Sequence, residues 1–223
     1  MSRLKDIVQI QPAMADIANH LRHLAGICFD LSDELERRED ASNRLIAYPN
    51  FSRYVGGELR RTATFYPVDV PGLAWTARNL FEAYLLVKYV SQSDERLSEW
   101  MGQGITDETE FIEGMLFYAD PQESNTHIAM LQMQRARLLD MSKRHGLRQV
   151  KPFRVGDLAT DLGEGEEYRA LFKLFSKYVH PSSLYINKWA LTPPDPAFVE
   201  VFHIKAQLYA GQAIKVIQDN TLR

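Results

Sequence analysis

Two groups of residues in this sequence have types and spacings that could do chemistry. The first is the pair Arg78 and Glu82, which are four residues apart and therefore share one face of a helix. The residues around them are mostly apolar, so we expect this ion pair to be partly buried. Because a buried ion pair is costly unless further hydrogen bonds satisfy it, the pair would either brace the helix against its neighbours or belong to a functional pocket.

The second group belongs to a helix that we predict from about Glu166 to Val179, with an apolar face that begins at Tyr168. Pro181 disfavours a helical conformation for His180, so the histidine lies at the helix C-terminus, where the helix dipole favours a protonated imidazole. A polar stripe leads along this helix in steps of four, three and four residues: Arg169, Lys173, Ser176 and His180.

His180 allows two interpretations. A histidine that changes charge near neutral pH, beside Ser176 and basic groups, could perform acid–base chemistry on a phosphodiester. The same histidine could instead end its helix by hydrogen-bonding to carbonyl groups of the following loop. The sequence of this region leaves both roles open.

Basic and aromatic residues also alternate within residues 48–72. We predict a loop there because prolines and glycines interrupt the helical pattern: Pro49, Gly56, Gly57, Pro67, Pro71 and Gly72. Arg60 and Arg61 could bind phosphates in this loop while the neighbouring aromatic side chains stack on bases. In the alternative interpretation, the aromatic side chains hold the loop against the protein and the arginines are solvated.

The elements that must position these residues are all predicted to be helices. A heptad pattern from Ile10 to Leu35 predicts a long helix over about residues 12–42, either as an arm of a bundle or as a dimerising coiled coil. The motifs lie in a core over residues 73–185, and Asp195–Pro196 begins a last helix over about residues 196–219. We therefore predict an all-α, single-domain helical bundle over residues 1–223, with about six to eight helices.

Composition limits the classes of function. The chain has 26 Lys and Arg against 29 Asp and Glu, a net charge of −3 that argues against a global nucleic-acid-binding surface but not against a local basic patch. The single cysteine, Cys28, excludes an intrachain disulfide and disfavours a cysteine-based zinc site, and no cofactor motif is present. The apolar runs are too short for a signal peptide or a membrane span. We predict a cytoplasmic protein without a metal or cofactor.

Three motifs, in this order, resemble a bacterial all-helical family of unknown function over about residues 73–185. They are Arg78-x-x-x-Glu82, the segment from Val155 to Ala159, and Tyr168-x7-Ser176-x3-His180-Pro181-Ser182. That family is in turn similar to the HEPN domains. Many HEPN domains are metal-independent ribonucleases of toxin–antitoxin and phage-defence systems, and they act as dimers with an Arg and a His at the interface.

The resemblance implies a homodimeric, HEPN-like effector that cleaves RNA or binds a nucleotide. His180 would act as a general acid or base, Ser176 and Tyr168 would orient the substrate, and Glu82 would lie in the same cleft. The HEPN signature places an Arg four to six residues before the His, where this chain has Leu174, Phe175 and Ser176. The functional arginine would therefore be Arg78 or Arg169.

The resemblance leaves a second hypothesis open. In it, the chain is a non-catalytic helical interaction or regulatory module, and the Arg, Glu, Tyr and His residues form a structural network. Its partner would then be a protein encoded by a neighbouring gene. In the first hypothesis, nucleic acid would be bound by four basic residues: Arg169, Lys173, Arg60 and Arg61.

Overall fold

A computed structural model describes residues 14–38, 43–119, 125–148, 150–188 and 195–221. All regular structure within these residues is helical, which confirms the prediction of an all-α protein. In chain order the helices are α1 (Met14–Glu36), α2 (Asn43–Phe65), α3 (Val70–Val90), α4 (Asp94–Tyr118), α5 (Asn125–Arg144), α6 (Val155–Asp161), α7 (Gly165–Glu167), a π-helical turn (Tyr168–Phe172), α8 (Lys173–Val179), α9 (Ser183–Lys188) and α10 (Pro196–Thr221).

The chain divides into two compact units, where the sequence predicted one domain over residues 1–223. The first unit comprises Met1–Ser91 and Val155–Arg223, and the second comprises Gln92–Arg154. None of the described helices is long and apolar enough to cross a membrane.

Helix α3 lies at the centre of the first unit, in contact with α2, α8 and α10. Most of its side chains are buried, among them Leu73, Leu80 and Leu85. The helix begins where the Asp69 carboxylate accepts a hydrogen bond from the Gly72 backbone N–H at 3.0 Å. Burial on nearly every side holds α3 in place, so the few polar residues on its remaining face occupy defined positions.

Helix α1 packs along α2 in the same chain. The heptad seam is buried at positions that include Leu21, Cys28 and Leu35, and burial raises the pKa of the Cys28 thiol to about 12. The Ser52 hydroxyl of α2 donates to the Cys28 carbonyl at 2.7 Å. The heptad seam of α1 therefore packs against α2 of the same chain, and α1 is an arm of the bundle.

The prediction of a loop over residues 48–72 was wrong for residues 48–65, which belong to α2, and for residues 70–72, which begin α3. Pro49 lies inside this helix. Proline and glycine in a helix cost about 3 and about 1 kcal/mol respectively. The apolar side chains of α2 recur at helical spacing and are buried, which offsets that cost: Tyr48, Phe51, Val55 and Leu59. Gly56 also has a packing role, because a Cβ there would lie 3.1 Å from Cys28 Cβ.

The second unit is built around the pair α4 and α5. Its core contains the buried side chains of Ile105, Ile112 and Leu138. Hydrogen bonds join the helices at two points: Gln134 Nε2 donates to Glu108 Oε1 at 2.9 Å, and Arg135 donates to Glu113 Oε1 from Nε at 2.9 Å and from Nη2 at 2.6 Å. The two helices thus pack together as a small layer.

Candidate functional site

Arg78 is the centre of the candidate site, which lies in the first unit. Its Nε donates to Glu82 Oε1 at 3.1 Å within α3, and its Nη1 lies 3.0 Å from His180 Nε2 at the end of α8. The guanidinium carbon is also 4.8 Å from the centre of the Phe172 ring. One half-buried arginine therefore joins α3 to two parts of the motif helix, the helix that the sequence predicts from about Glu166 to Val179.

His180 follows α8 directly, in an extended conformation. Its backbone N–H donates to the Ser176 carbonyl at 3.1 Å, and its side chain is exposed. A guanidinium can only donate hydrogen bonds, so a hydrogen bond between Arg78 and His180 has Nε2 as its acceptor.

The turn after His180 is fixed by Ser182. Its hydroxyl donates to the Lys177 carbonyl at 2.6 Å and accepts a hydrogen bond from the Tyr185 backbone N–H at 3.2 Å. The first bond satisfies an end carbonyl of α8, and the second caps α9. Ser182 therefore sets the direction in which the chain leaves His180.

Ser176 and Tyr168 both contact Phe172, within the same stretch of chain. The Ser176 hydroxyl donates to the Phe172 carbonyl at 2.9 Å, within its own helix. The Tyr168 ring stacks on the Phe172 ring with centroids 5.0 Å apart, and a Cβ at Gly156 would lie 3.0 Å from it. Tyr168 therefore supports Phe172, which in turn contacts Arg78.

A π-helical turn interrupts the motif helix at Tyr168–Phe172, where the Lys173 N–H donates to the Tyr168 carbonyl. Such a turn holds more residues than an α-helical one, so residues before and after it are displaced around the axis. The predicted stripe from Arg169 to His180 assumed α-helical spacing throughout. Arg169 and Lys173 are exposed, and the π-turn separates Arg169 from the regular spacing of α8.

Two acidic groups, Glu58 on α2 and Glu82 on α3, lie near Tyr54 of α2. Burial raises the pKa of Glu82, against the opposing effect of Arg78. Burial likewise raises the pKa of Glu58, which accepts a hydrogen bond from Asn79 Nδ2 at 3.3 Å. Burial and then the charges of Glu58 and Glu82 raise the pKa of Tyr54 to about 12. Of these two carboxyl groups, Glu82 is the one that is paired with Arg78.

Arg60 and Arg61 lie on helix α2 and have different surroundings. Arg61 forms an ion pair with Glu58, and its guanidinium is 5.8 Å from the centre of the Trp75 ring. Arg60 lies 5.8 Å from the ring of Phe29, on the α1 side. The two arginines therefore do not form one basic loop, because adjacent residues of a helix point about 100° apart.

Two acidic residues that the sequence analysis missed hold the start of the motif helix. Glu164 Oε1 accepts from Tyr84 Oη at 2.7 Å and from Lys88 Nζ at 2.6 Å, both on α3. Burial raises the pKa of Glu164, but these two donors outweigh it and hold that pKa below its usual value.

Glu167 is held in the same manner from α10. Its Oε1 accepts from Lys205 Nζ at 2.7 Å and also from Tyr209 Oη. Burial and then Glu167 raise the pKa of Tyr209. The available sequence signal is a tyrosine and a lysine four residues apart on each of α3 and α10.

The chemistry open to the site is that of its imidazole, guanidinium and carboxylate. Among the residues that the structure describes, no group of three or more His, Cys, Asp and Glu side chains is placed to hold a metal ion. The exposed imidazole can exchange a proton, and the guanidinium can stabilise a negative charge beside it.

Comparison with known proteins gives a family but no function. Neither the curated proteins nor the solved structures contain a match to the chain. A family model described as a family of unknown function (DUF5677) matches residues 70–191, from the first residue of α3 to beyond His180. The match covers more than half of the sequence and includes Arg78, Glu82 and His180. The chain therefore belongs to this family of unknown function, DUF5677.

Proposed function

We propose that this chain is a HEPN-like effector that cleaves RNA without a metal ion. The observation that carries the proposal is an exposed imidazole, His180, whose Nε2 lies 3.0 Å from the Arg78 guanidinium. A histidine and an arginine together are the pair that the HEPN resemblance requires. In this chain the arginine comes from α3 instead of the helix that carries the histidine.

The reaction is a transesterification within the RNA. The ribose 2′-hydroxyl oxygen attacks the adjacent phosphorus, and the bond from phosphorus to the 5′-oxygen breaks. His180 Nε2, the atom that faces Arg78, accepts the 2′-hydroxyl proton as a general base. The departing 5′-oxygen takes a proton from water, and the products are a 2′,3′-cyclic phosphate and a 5′-hydroxyl.

Arg78 supplies the positive charge in this mechanism. A phosphate at the site draws the guanidinium donors to its non-bridging oxygens, which releases Nε2 of His180. Glu82 keeps hold of Nε of Arg78 and so orients the side chain. The exposed side chains of Arg169, Lys173 and Lys177 add positive charge along the motif helix, where they attract the RNA backbone.

The test is RNA cleavage by the purified chain in EDTA, with detection of the cyclic phosphate product. We expect the wild type and His23→Ala to cleave and His180→Ala to be inactive, with the same melting temperature for all three. Both histidines are exposed, so neither substitution disturbs the core. An RNA with a 2′-deoxyribose at the cleaved position should resist cleavage. His180→Ala cleaving as fast as wild type would exclude the role of His180.

A second candidate function is a non-catalytic helical interaction module. Its supporting observation is that Arg78 already has three partners in the chain: Glu82, His180 and the Phe172 ring. In this case the network braces α3 against α8, and the biological activity belongs to a partner protein. Absence of cleavage by wild type, with a lower melting temperature for His180→Ala, would favour this candidate over the ribonuclease.

A further inference from the structure

The second unit carries an open groove between α4 and α5, with a volume of about 790 Å³. Its base contains Leu131, Leu138 and Met141, and its sides contain Met115, Met130 and Met133. Four of the seven methionines of the chain line this one groove. Methionine is flexible and polarisable, so a surface lined by it can adapt closely to a protein partner.

The groove belongs to a larger exposed apolar face. Phe111, Met115 and Tyr118 are spaced i, i+4 and i+7 on α4, so they share one side of that helix. Together with Met130 and Met133 these side chains are 45–86% exposed. At about 200 Å² for a large side chain, they leave on the order of 600 Å² of apolar surface uncovered. A patch of this size is at the upper end of what monomeric proteins expose, and such patches are often functional.

The second unit has little core of its own. Residues 92–154 are comparable in size to the smallest domains, which bury only about 60% of the surface of the unfolded chain. Their α4–α5 core contains three buried apolar side chains with four partly buried ones packed against them, while five large apolar side chains are exposed on one face. Covering that face would supply the apolar burial that the unit lacks.

Charge identifies a second copy of the chain as the fitting partner. Glu108 on α4 and Arg137 on α5 both line the groove. The hydrogen bond from Gln134 to Glu108 places Glu108 about one helical turn from Arg137 along the groove. A two-fold axis along the groove sets α4 of one copy against α5 of the other. Each Glu108 then faces Arg137 of the other copy, and the apolar sides meet between them.

We propose that the chain forms a homodimer through this groove, with α4 and α5 of the two copies packed as an antiparallel four-helix bundle. A standard interface buries about 800 Å² per partner, of which somewhat more than half is apolar. The exposed apolar face meets this requirement. The dimer is independent of the RNA chemistry proposed for the first unit.

The first test is the mass of the full chain in solution, by sedimentation equilibrium over a wide concentration range. We expect the wild type at twice 25.6 kDa and Met130→Glu at 25.6 kDa, because the variant buries an unpaired charge. Ile46→Glu is the matched control, since Ile46 and Met130 are each 57% exposed. It should remain dimeric. A monomeric wild type, or a dimeric Met130→Glu, would overturn the proposal.

The second test distinguishes the two-fold arrangement from other pairings. Glu108→Arg and Arg137→Glu should each weaken the dimer by about tenfold or more, because like charges then face each other. The double variant Glu108→Arg with Arg137→Glu should recover most of the lost affinity, because both ion pairs are restored in reverse. A double variant weaker than either single variant would exclude the two-fold arrangement.

Discussion

Arg78 connects Glu82, which lies four residues along the same helix, to Phe172 and His180, which lie far along the chain. Its planar guanidinium donates in two directions, to Glu82 and to His180, and presents its face to Phe172. A lysine could not make these three contacts, because an ammonium group lacks both the widely spaced N–H donors and the flat face of a guanidinium. The same geometry serves both candidate functions, since the donors that hold His180 in the resting protein can also bind a phosphate.

Removing Arg78 leaves the half-buried Glu82 carboxylate without its partner. We expect Arg78→Ala to lower the free energy of unfolding by about 1–3 kcal/mol. Arg53→Ala is the matched control because Arg53 forms an ion pair with Glu36 in which both side chains are 47% exposed, and its cost should be below about 1 kcal/mol. Urea unfolding at pH 7 measures both variants. Equal costs would contradict a structural role for Arg78.

At the scale of single elements, the close approach of another backbone segment decides which glycines can be replaced without loss of stability. Gly102 on α4 lies against the chain that follows α5, where an added Cβ would be 1.9 Å from the Arg148 carbonyl oxygen. Gly104, two residues later in the same helix, has open space around it. The two positions share one helix and differ only in what they face.

We therefore expect opposite effects from the same substitution at these positions. Gly102→Ala should destabilise the second unit by about 1–3 kcal/mol, because backbone must shift to admit the methyl group. Gly104→Ala should stabilise it by roughly 0.5–1 kcal/mol, because alanine loses less conformational entropy in a helix. Thermal unfolding followed by circular dichroism measures both variants. A stabilising Gly102→Ala would show that α4 does not pack closely on Arg148.

At the scale of the whole molecule, the stability of the first unit is linked to pH through His203. This histidine of α10 is fully buried, and its Nδ1 lies 3.0 Å from Gln207 Nε2. Burial lowers its pKa from 6.5 to about 4. Between these two values the unfolded chain binds a proton that the folded chain does not, so acidification favours unfolding.

We predict that His203 alone removes about 3 kcal/mol of unfolding free energy as the pH falls from 7 to 4. His203→Gln should lose less stability over this range, because glutamine does not titrate. His145→Gln, at an exposed position of the second unit, is the control and should follow the wild type. Urea unfolding at a series of pH values measures the difference. Parallel curves for wild type and His203→Gln would exclude this contribution.

The sequence by itself determined the helical class and the local relationships within each helix. The heptad seam of α1, the start of α10 after Asp195 and the shared face of Arg78 and Glu82 all follow from helical spacing. These features depend on residues within a few positions of one another, which is the range that periodicity encodes. They could therefore be predicted from one chain.

The tertiary structure decided what depends on distant contacts. Helix α2 runs through Pro49 because burying its apolar face against α1 and α3 offsets the local cost, and no local rule includes that burial. The contact of Arg78 with His180 joins residues 102 positions apart. Glu164 accepts hydrogen bonds from a tyrosine and a lysine of α3, and Glu167 accepts them from a tyrosine and a lysine of α10. Both sets of bonds depend on the packing of distant helices. Local patterns select helices, whereas long-range packing selects which side chains meet.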